Sequence, residues 1–374
     1  MAMDIPKLRD KLNGNFAGRF FLWAVSLAYG LAVFLRNRLY DSGVLKQKTV
    51  HSRVVCLGNI TAGGTGKTSA VMLAARTLAE AGIKTAIVSR GYKRQSQNKE
   101  PVVLSDKTSA SWNEAGDEPY MLCEALREHN VPVVVCADRV IAAQTAVRLF
   151  KSQVILMDDG FQHRRLSRDK DIVLLDARRP FGSGGLLPYG TLREQKSALR
   201  RADLAVLTHA DMAENLDETK TEIRKINRRL EILESVHEPE YFFDVSKSEK
   251  LPLDGLAGEA ASLSAIGDPE SFEKTLKKLG LRLKQIWRYP DHHPYTLDEL
   301  RSAYTLCSGM PLVTTYKDFV KFPEGWRDVV SGGVYFLSIR MKILGGGDEF
   351  DAWADALYPR LSLRLRQKPS PVSE

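Results

Sequence analysis

The chain has 374 residues, 44% of them hydrophobic, and 54 Lys and Arg against 46 Asp and Glu leave a net charge of +8. That composition excludes a disordered or collagen-like polymer, and the length suits two domains of roughly 100–200 residues each. The basic excess suits an anionic partner, and four scattered cysteines (Cys56, Cys123, Cys136, Cys307) argue against a metal knuckle or disulfide framework and for a reducing cytosol.

The first element, Phe20–Leu35, reads FFLWAVSLAYGLAVFL without a charge. Lys7, Arg9, Lys11 and Arg19 precede it, and Arg36 and Arg38 follow. As a helix it would rise roughly 24 Å, short of the ~30 Å hydrocarbon core. Charges come first and no A-x-A-like site follows, which counts against a cleaved signal peptide. The preferred reading is a helix partly immersed in the bilayer, with Trp23 and Tyr29 at the interface and arginines on anionic headgroups. A helix buried against a domain and a full span are the alternatives. Residues 1–40 are assigned to this membrane-associated segment and 41–240 to a nucleotide-binding domain.

Arg53–Ile60, RVVCLGNI, is a short apolar strand. TAGGTGKT follows at Thr61, Ala62, Gly63, Gly64, Thr65, Gly66, Lys67 and Thr68, and then a helix over Ser69–Gly82 that stops at glycine. Strand, glycine loop and helix are the context of a phosphate-binding loop: its backbone N–H groups face phosphates, Lys67 reaches the β- and γ-phosphates, and the Thr68 hydroxyl takes Mg²⁺. Threonine stands at position 61 where the pattern asks for glycine. The glycines needed for close approach remain, so the loop reads as competent for ATP.

Lys84–Tyr92 supplies a second strand and a βαβ unit. Ser152–Leu166, SQVILMDDGFQHRRL, is a buried-type strand tipped with Asp158 and Asp159. One such carboxylate meets the Mg²⁺ bridging the β- and γ-oxygens; the other serves a second task nearby or caps the turn. Strands at Asp171–Ala177 and Ala202–Ala210 complete an open, mostly parallel α/β sheet of the P-loop NTPase type, with ligands at its C-terminal edge.

A charged stretch over Asp211–Glu234 reads as a surface helix, with Leu216, Ile223 and Leu230 near helical spacing. Glu238–Ser246 is a strand or linker. A second, smaller α/β domain spans 241–374, beginning in earnest near 250 with SLSAIGDPESFEKTLKKLG as strand, proline turn and helix. The basic run Arg360–Lys368 either touches the membrane surface or frays as a tail.

Several motifs together carry a resemblance. GNITAGGTGKT (Gly58–Thr68), SRGYKR (Ser89–Arg94), GDEPYML (Gly116–Leu122), ADR (Ala137–Arg139), DDGFQHRRL (Asp158–Leu166), LLPYGTLRE (Leu186–Glu194), DHHPY (Asp291–Tyr295) and TTYKDFVKF (Thr314–Phe322) occur in this order. In them the chain resembles the tetraacyldisaccharide 4'-kinases, the lipid A kinases of Gram-negative bacteria. The resemblance runs from the N-terminal helix to about residue 340, and in that family Thr or Ser commonly replaces the loop's first glycine. It implies transfer of the γ-phosphate of ATP, with Mg²⁺, to the 4'-hydroxyl of an acylated glucosamine disaccharide 1-phosphate. The place would be the cytoplasmic face of the bacterial inner membrane, with the N-terminal helix on anionic lipid and no obligate protein partner.

The same resemblance makes Asp117 the base and a histidine of DHHPY its partner. The motif favours His292 over His293, and a turn histidine beside Pro294 is the plain alternative. Thr68, Asp158, Asp159 and Glu194 would surround the Mg²⁺, while Arg139, His163 and Arg193 would contact phosphates or the developing charge. Arg90, Lys93 and Arg94 read equally well as cations for an acidic substrate or as a solvated loop. Tyr316 and Phe319 depart from the family's glutamate and alanine. With Asp117 and His292 in different domains, the active site would be the cleft between them, with closure joining the pair.

Two other classes share parts of this pattern. Partitioning-type ATPases carry GG-x-GKT, but with a lysine where this chain has Ala62. A nucleic-acid binder would use the basic charge, but no RNP-like or helix-turn-helix pattern is present. No nucleic acid is therefore expected as a partner.

Overall fold

The computed structural model describes residues 12, 14–91, 100–106 and 110–367. Lys7, Arg9, Lys11, Lys93, Arg94 and Lys368, all weighed above, lie outside them.

Helix α1 (Phe16–Asp41) begins where the Asn15 side chain accepts from the Gly18 amide, and it runs 26 residues, about 39 Å. The nucleotide-binding half follows as β1 (Arg53–Gly58), α2 (Lys67–Glu80), β2 (Thr85–Ser89), β3 (Val102–Leu104), α3 (Trp112–Ala115), α4 (Asp117–Ala125), β4 (Val133–Val135), α5 (Arg139–Phe150), β5 (Val154–Asp158), β6 (Lys170–Asp176), β7 (Leu204–Thr208) and α6 (Leu216–Ile226). The chain goes on through β8 (Glu231–Asp244), β9 (Glu249–Leu251), β10 (Gly258–Ser264), α7 (Pro269–Lys278), β11 (Leu281–Arg288), α8 (Leu297–Leu306), β12 (Leu312–Thr315), α9 (Tyr316–Phe319), α10 (Trp326–Val329), β13 (Val334–Ile343), α11 (Gly347–Leu357) and α12 (Leu361–Gln367).

The strands of the described residues join one mixed sheet in the order β11-β10-β12-β13-β8-β7-β6-β1-β5-β2-β4-β3, with β9 paired to β8. From β8 to β4 the pairing is parallel throughout. The central strands are buried on both faces, as their unbroken apolar runs require. The β1–β5 and β1–β6 pairings put the loop after Gly58 and the aspartates after Met157 at one edge, where this topology binds ligands.

Strand β8 changes the domain picture. Its first part pairs parallel with β7, and its remainder runs antiparallel to β13. The boundary placed at 240 therefore falls inside a continuous strand. The helix read over Asp211–Glu234 ends at Ile226; Glu231 begins β8, where Leu233 packs into the sheet core. The C-terminal segment is not a loose tail either. Trp353, Ala354, Leu357 and Leu361 sit in the same apolar cluster as Val55, Leu57 and Ala74, and Arg53 Nε donates to the Leu357 carbonyl at 2.9 Å. Arg360–Gln367 is thereby packed on the nucleotide half.

Candidate active site

The loop after β1 explains its own sequence. Gly66 caps α2 at φ +73, and a Cβ there would come within 2.8 Å of the His237 ring, so both backbone and space demand glycine. Thr61 faces no such demand: it is buried, bridged in extended fashion to Leu192, with the next amide donating to the Thr191 carbonyl at 2.7 Å. A β-branched residue suits that conformation. Thr65 is braced by Asn59 Nδ2 at 2.8 Å and by Thr208, whose hydroxyl donates to its carbonyl. Lys67 Nζ lies 3.7 Å from Asp159, and Thr68 occupies the first turn of α2.

Asp158, at the tip of β5, is buried and accepts from Ser89 Oγ at 2.9 Å. Burial, then the charges of Glu118 and Asp159, push its carboxyl up to about 7. Asp159 is held differently. Burial raises it, but Lys67, Arg193 and Arg139 outweigh that and keep it below the usual carboxylate range. Both its oxygens accept from Arg193 at 2.9 Å. Arg139 is 4% exposed at the start of α5, close enough to feel Asp158, Asp159 and Arg90. Beside it, burial and then the Arg139 charge lower His163 to about 4, so its imidazole is neutral.

Asp117 starts α4 directly after Gly116, whose φ of +97 turns the chain between α3 and α4. Its Oδ1 accepts the Glu118 amide at 2.9 Å, and its Oδ2 meets His292 Nδ1 at 2.5 Å. His292 sits at φ +66, a left-handed conformation that a non-glycine residue keeps only when its surroundings fix it. His293 turns away, its Nε2 3.1 Å from Glu299 and its ring stacked on Tyr289. The histidine that meets Asp117 is thus His292, and in this structure the pair is joined.

A sequence model of the tetraacyldisaccharide-1-P 4'-kinase family matches residues 18–358. The chain belongs to this family. A tetraacyldisaccharide 4'-kinase of Elusimicrobium minutum is 56% identical over 96% of this chain and 97% of its own length. One from Aquifex aeolicus is 36% identical over 87% of this chain and 95% of its own. The crystal structure of LpxK from Aquifex aeolicus in complex with ATP superposes with a TM-score of 0.73 at 33% identity, covering 93% of this chain and 99% of that one.

In this family member the N-terminal helix is tied to the site. Gly18, Leu22, Ser26 and Gly30 form its buried face. Ser26 Oγ donates to the Leu186 carbonyl at 3.0 Å, and Tyr29 donates its hydroxyl to the Arg193 carbonyl at 2.8 Å. Tyr29 therefore faces protein rather than the membrane interface. Glu194, expected near Mg²⁺, is 1% exposed, with one oxygen on Arg201 and the other on Asn37, both at 2.6 Å. Arg201 and Asn37 thus hold the carboxylate, the latter from α1.

The sequence reading missed two groups. Lys317 Nζ reaches Asp291 at 3.2 Å and Glu118 and His292 Nε2 at 3.5 Å each. Its motif was noticed, yet only the fold brings α9 to α4. His209 and His237 stack at 4.6 Å beside Gly66, with Asp176 3.5 Å from His209 Nδ1. No spacing rule joins residues at the ends of separate strands. Tyr316 and Phe319, the departures from the family pattern, pack as aromatic neighbours of Phe336.

Proposed function

We propose that this chain transfers the γ-phosphoryl group of ATP to the 4'-hydroxyl of an acylated glucosamine disaccharide 1-phosphate at the cytoplasmic face of the inner membrane, forming lipid IVA. The observation that carries this is the Asp117–His292 pair, built from both halves of the sheet and linked through Glu118 to the Asp158 that ends β5. Phosphoryl transfer needs a cradle for charge and a group that accepts the acceptor's proton, and in this reading the loop after β1 and Asp117 supply them.

The loop amides and Lys67 hold the triphosphate, and Arg139, Arg193 and neutral His163 meet the charge that develops on it. Asp117 takes the proton of the 4'-hydroxyl as the new O–P bond forms. The bond from the γ-phosphorus to the bridging oxygen breaks, and its electron pair leaves with ADP. His292, donating from Nδ1, orients the carboxylate and keeps it anionic until then.

Mg²⁺ fits this chain at Thr68 and Asp158: a buried carboxylate pushed up by burial and by two neighbouring acids calls for a cation. Held by these two residues, the ion would supply charge neutralisation of the transferring phosphate. Asp159 instead positions Lys67 and Arg193. The exposed face of α1, including Phe20, Leu27, Leu31 and Phe34, supports a helix lying in the bilayer surface. Length and composition alone would also pass it as a span, but its opposite face is docked on residues 186–194.

The test is label transfer from γ-labelled ATP to purified tetraacyldisaccharide 1-phosphate with Mg²⁺ and detergent, for wild type, Lys67→Ala and Asp117→Asn. Label on the lipid, lost in both variants, is the expected result. ATP turnover without lipid labelling would overturn the acceptor assignment.

A further inference from the structure

Lys317 occupies an unusual place for a lysine. Its side chain is 21% exposed, and its ammonium lies among Asp291, Glu118 and the Nε2 atom of His292. Thr315 caps the short helix that carries it, through a hydrogen bond from the Asp318 amide. Asp318 points the other way, accepting from the Ala265 amide and Thr315 Oγ1. The backbone of α9 is thereby anchored to the strand end next to the loop that carries His292, and Lys317 is aimed at the imidazole.

We infer that Lys317 is a positioning residue for phosphoryl transfer, fixing His292 as the neutral tautomer that donates from Nδ1 to Asp117. This rests on the reading of Asp117 as the base. An ammonium has donors only, so at Nε2 it requires the lone pair. That places the imidazole proton on Nδ1, facing Asp117, and the carboxylate is then free to accept a proton. Among the described residues, Asp117 from α4, Asp291 from its own loop and Lys317 meet the imidazole, and Glu118 meets Lys317 from the far side. Asp291 Oδ2 lies 3.6 Å from the same Nε2, and Lys317 Nζ lies 3.2 Å from Asp291. Lys317 itself stays charged: burial lowers it, but Glu118, Asp291 and Asp117 more than compensate. Its charge also helps hold Asp117 low, against burial and alongside the larger effect of His292.

The experiment is the pH profile of kcat/KM for lipid phosphorylation by the full-length enzyme in wild type, Lys317→Met, Lys317→Arg, Asp291→Asn and Asp117→Asn. Loss of the Lys317 charge makes protonation of Asp117 easier, so Lys317→Met moves the acid limb up by about one pH unit and lowers kcat at neutral pH by roughly 10-fold or more. The KM for ATP is unchanged. Lys317→Arg restores the limb, and Asp291→Asn moves it down. A limb that stays fixed in Lys317→Met, or a Lys317→Arg profile no better than that of Lys317→Met, would overturn the inference. If Lys317→Met fails to fold, the direction of the Asp291→Asn shift decides. Retained transfer in Asp117→Asn would instead sink the base assignment itself.

Discussion

Tyr29 and Arg193 join the N-terminal helix to the phosphate site. The phenol donates to the Arg193 carbonyl at 2.8 Å while the guanidinium of the same residue holds both oxygens of Asp159. Asp159 in turn lies 3.7 Å from Lys67. A helix suited to the bilayer surface is thus three contacts from the lysine of the phosphate loop.

Tyr29→Phe removes one hydrogen bond, a loss of about 1 kcal/mol. We expect vesicle binding to be unchanged, because the exposed apolar face is untouched, while kcat for lipid phosphorylation falls a few-fold as Arg193 loosens. Turnover equal to wild type at saturating substrate would show that helix docking does not reach Asp159.

Gly66→Ala meets two obstacles. The positive φ costs a non-glycine residue about 1–2 kcal/mol, and the new Cβ would sit 2.8 Å from the His237 ring. ATP affinity measured by calorimetry is expected to fall at least tenfold. Adding His237→Ala relieves the clash but not the backbone strain, so the double variant should recover only part of the loss. Full recovery would mean that φ at Gly66 is not a constraint.

The same neighbourhood shows what was legible in the sequence and what was not. The loop, its strand and its helix are contiguous, so local pattern sufficed, and the Asp158–Asp159 tip followed from one apolar run. The region 211–234 misled because Glu231 and Glu234 gave the start of β8 a helical, charged look. Its place is decided by pairing with β7, a tertiary fact. Trp353 was visible as an apolar residue, but not as one packed beneath the nucleotide half. Lys317 and the His209–His237 stack come from distant segments, and so does Asn37, the partner that reaches Glu194 from the N-terminal helix.

Asp158 yields a pH signature. With its carboxyl raised to about 7, against about 3.9 in the unfolded chain, the folded protein holds a proton that the unfolded chain has lost. The stability this contributes is fully present below about pH 4 and is lost as pH rises through about 7. In the nucleotide-free protein, Asp158→Asn should therefore melt higher than wild type at pH 8, with the gap narrowing toward pH 5. Mg²⁺ with ATP should stabilise wild type more than the variant. Parallel melting curves across pH would contradict burial of an ionisable Asp158.

The exposed stripe of α1 gives the last test. Phe20, Leu27, Leu31 and Phe34 are 59, 55, 58 and 52% exposed and fall on one side of the helix, opposite the face docked on residues 186–194. Apolar side chains moved from water into lipid contribute about 1.5–3 kcal/mol each when fully buried. Phe20→Ser, Leu27→Ser and Leu31→Ser together should weaken sedimentation with anionic vesicles by at least ~100-fold. Because none of the three contacts Leu186 or Arg193 through a described hydrogen bond, activity on detergent-dispersed substrate should stay within a few-fold of wild type. If the triple variant still sediments with vesicles, the basic residues alone hold the protein at the surface, and sedimentation should then vanish as salt screens them. If it loses activity in detergent as well, the stripe packs against substrate acyl chains rather than the bilayer.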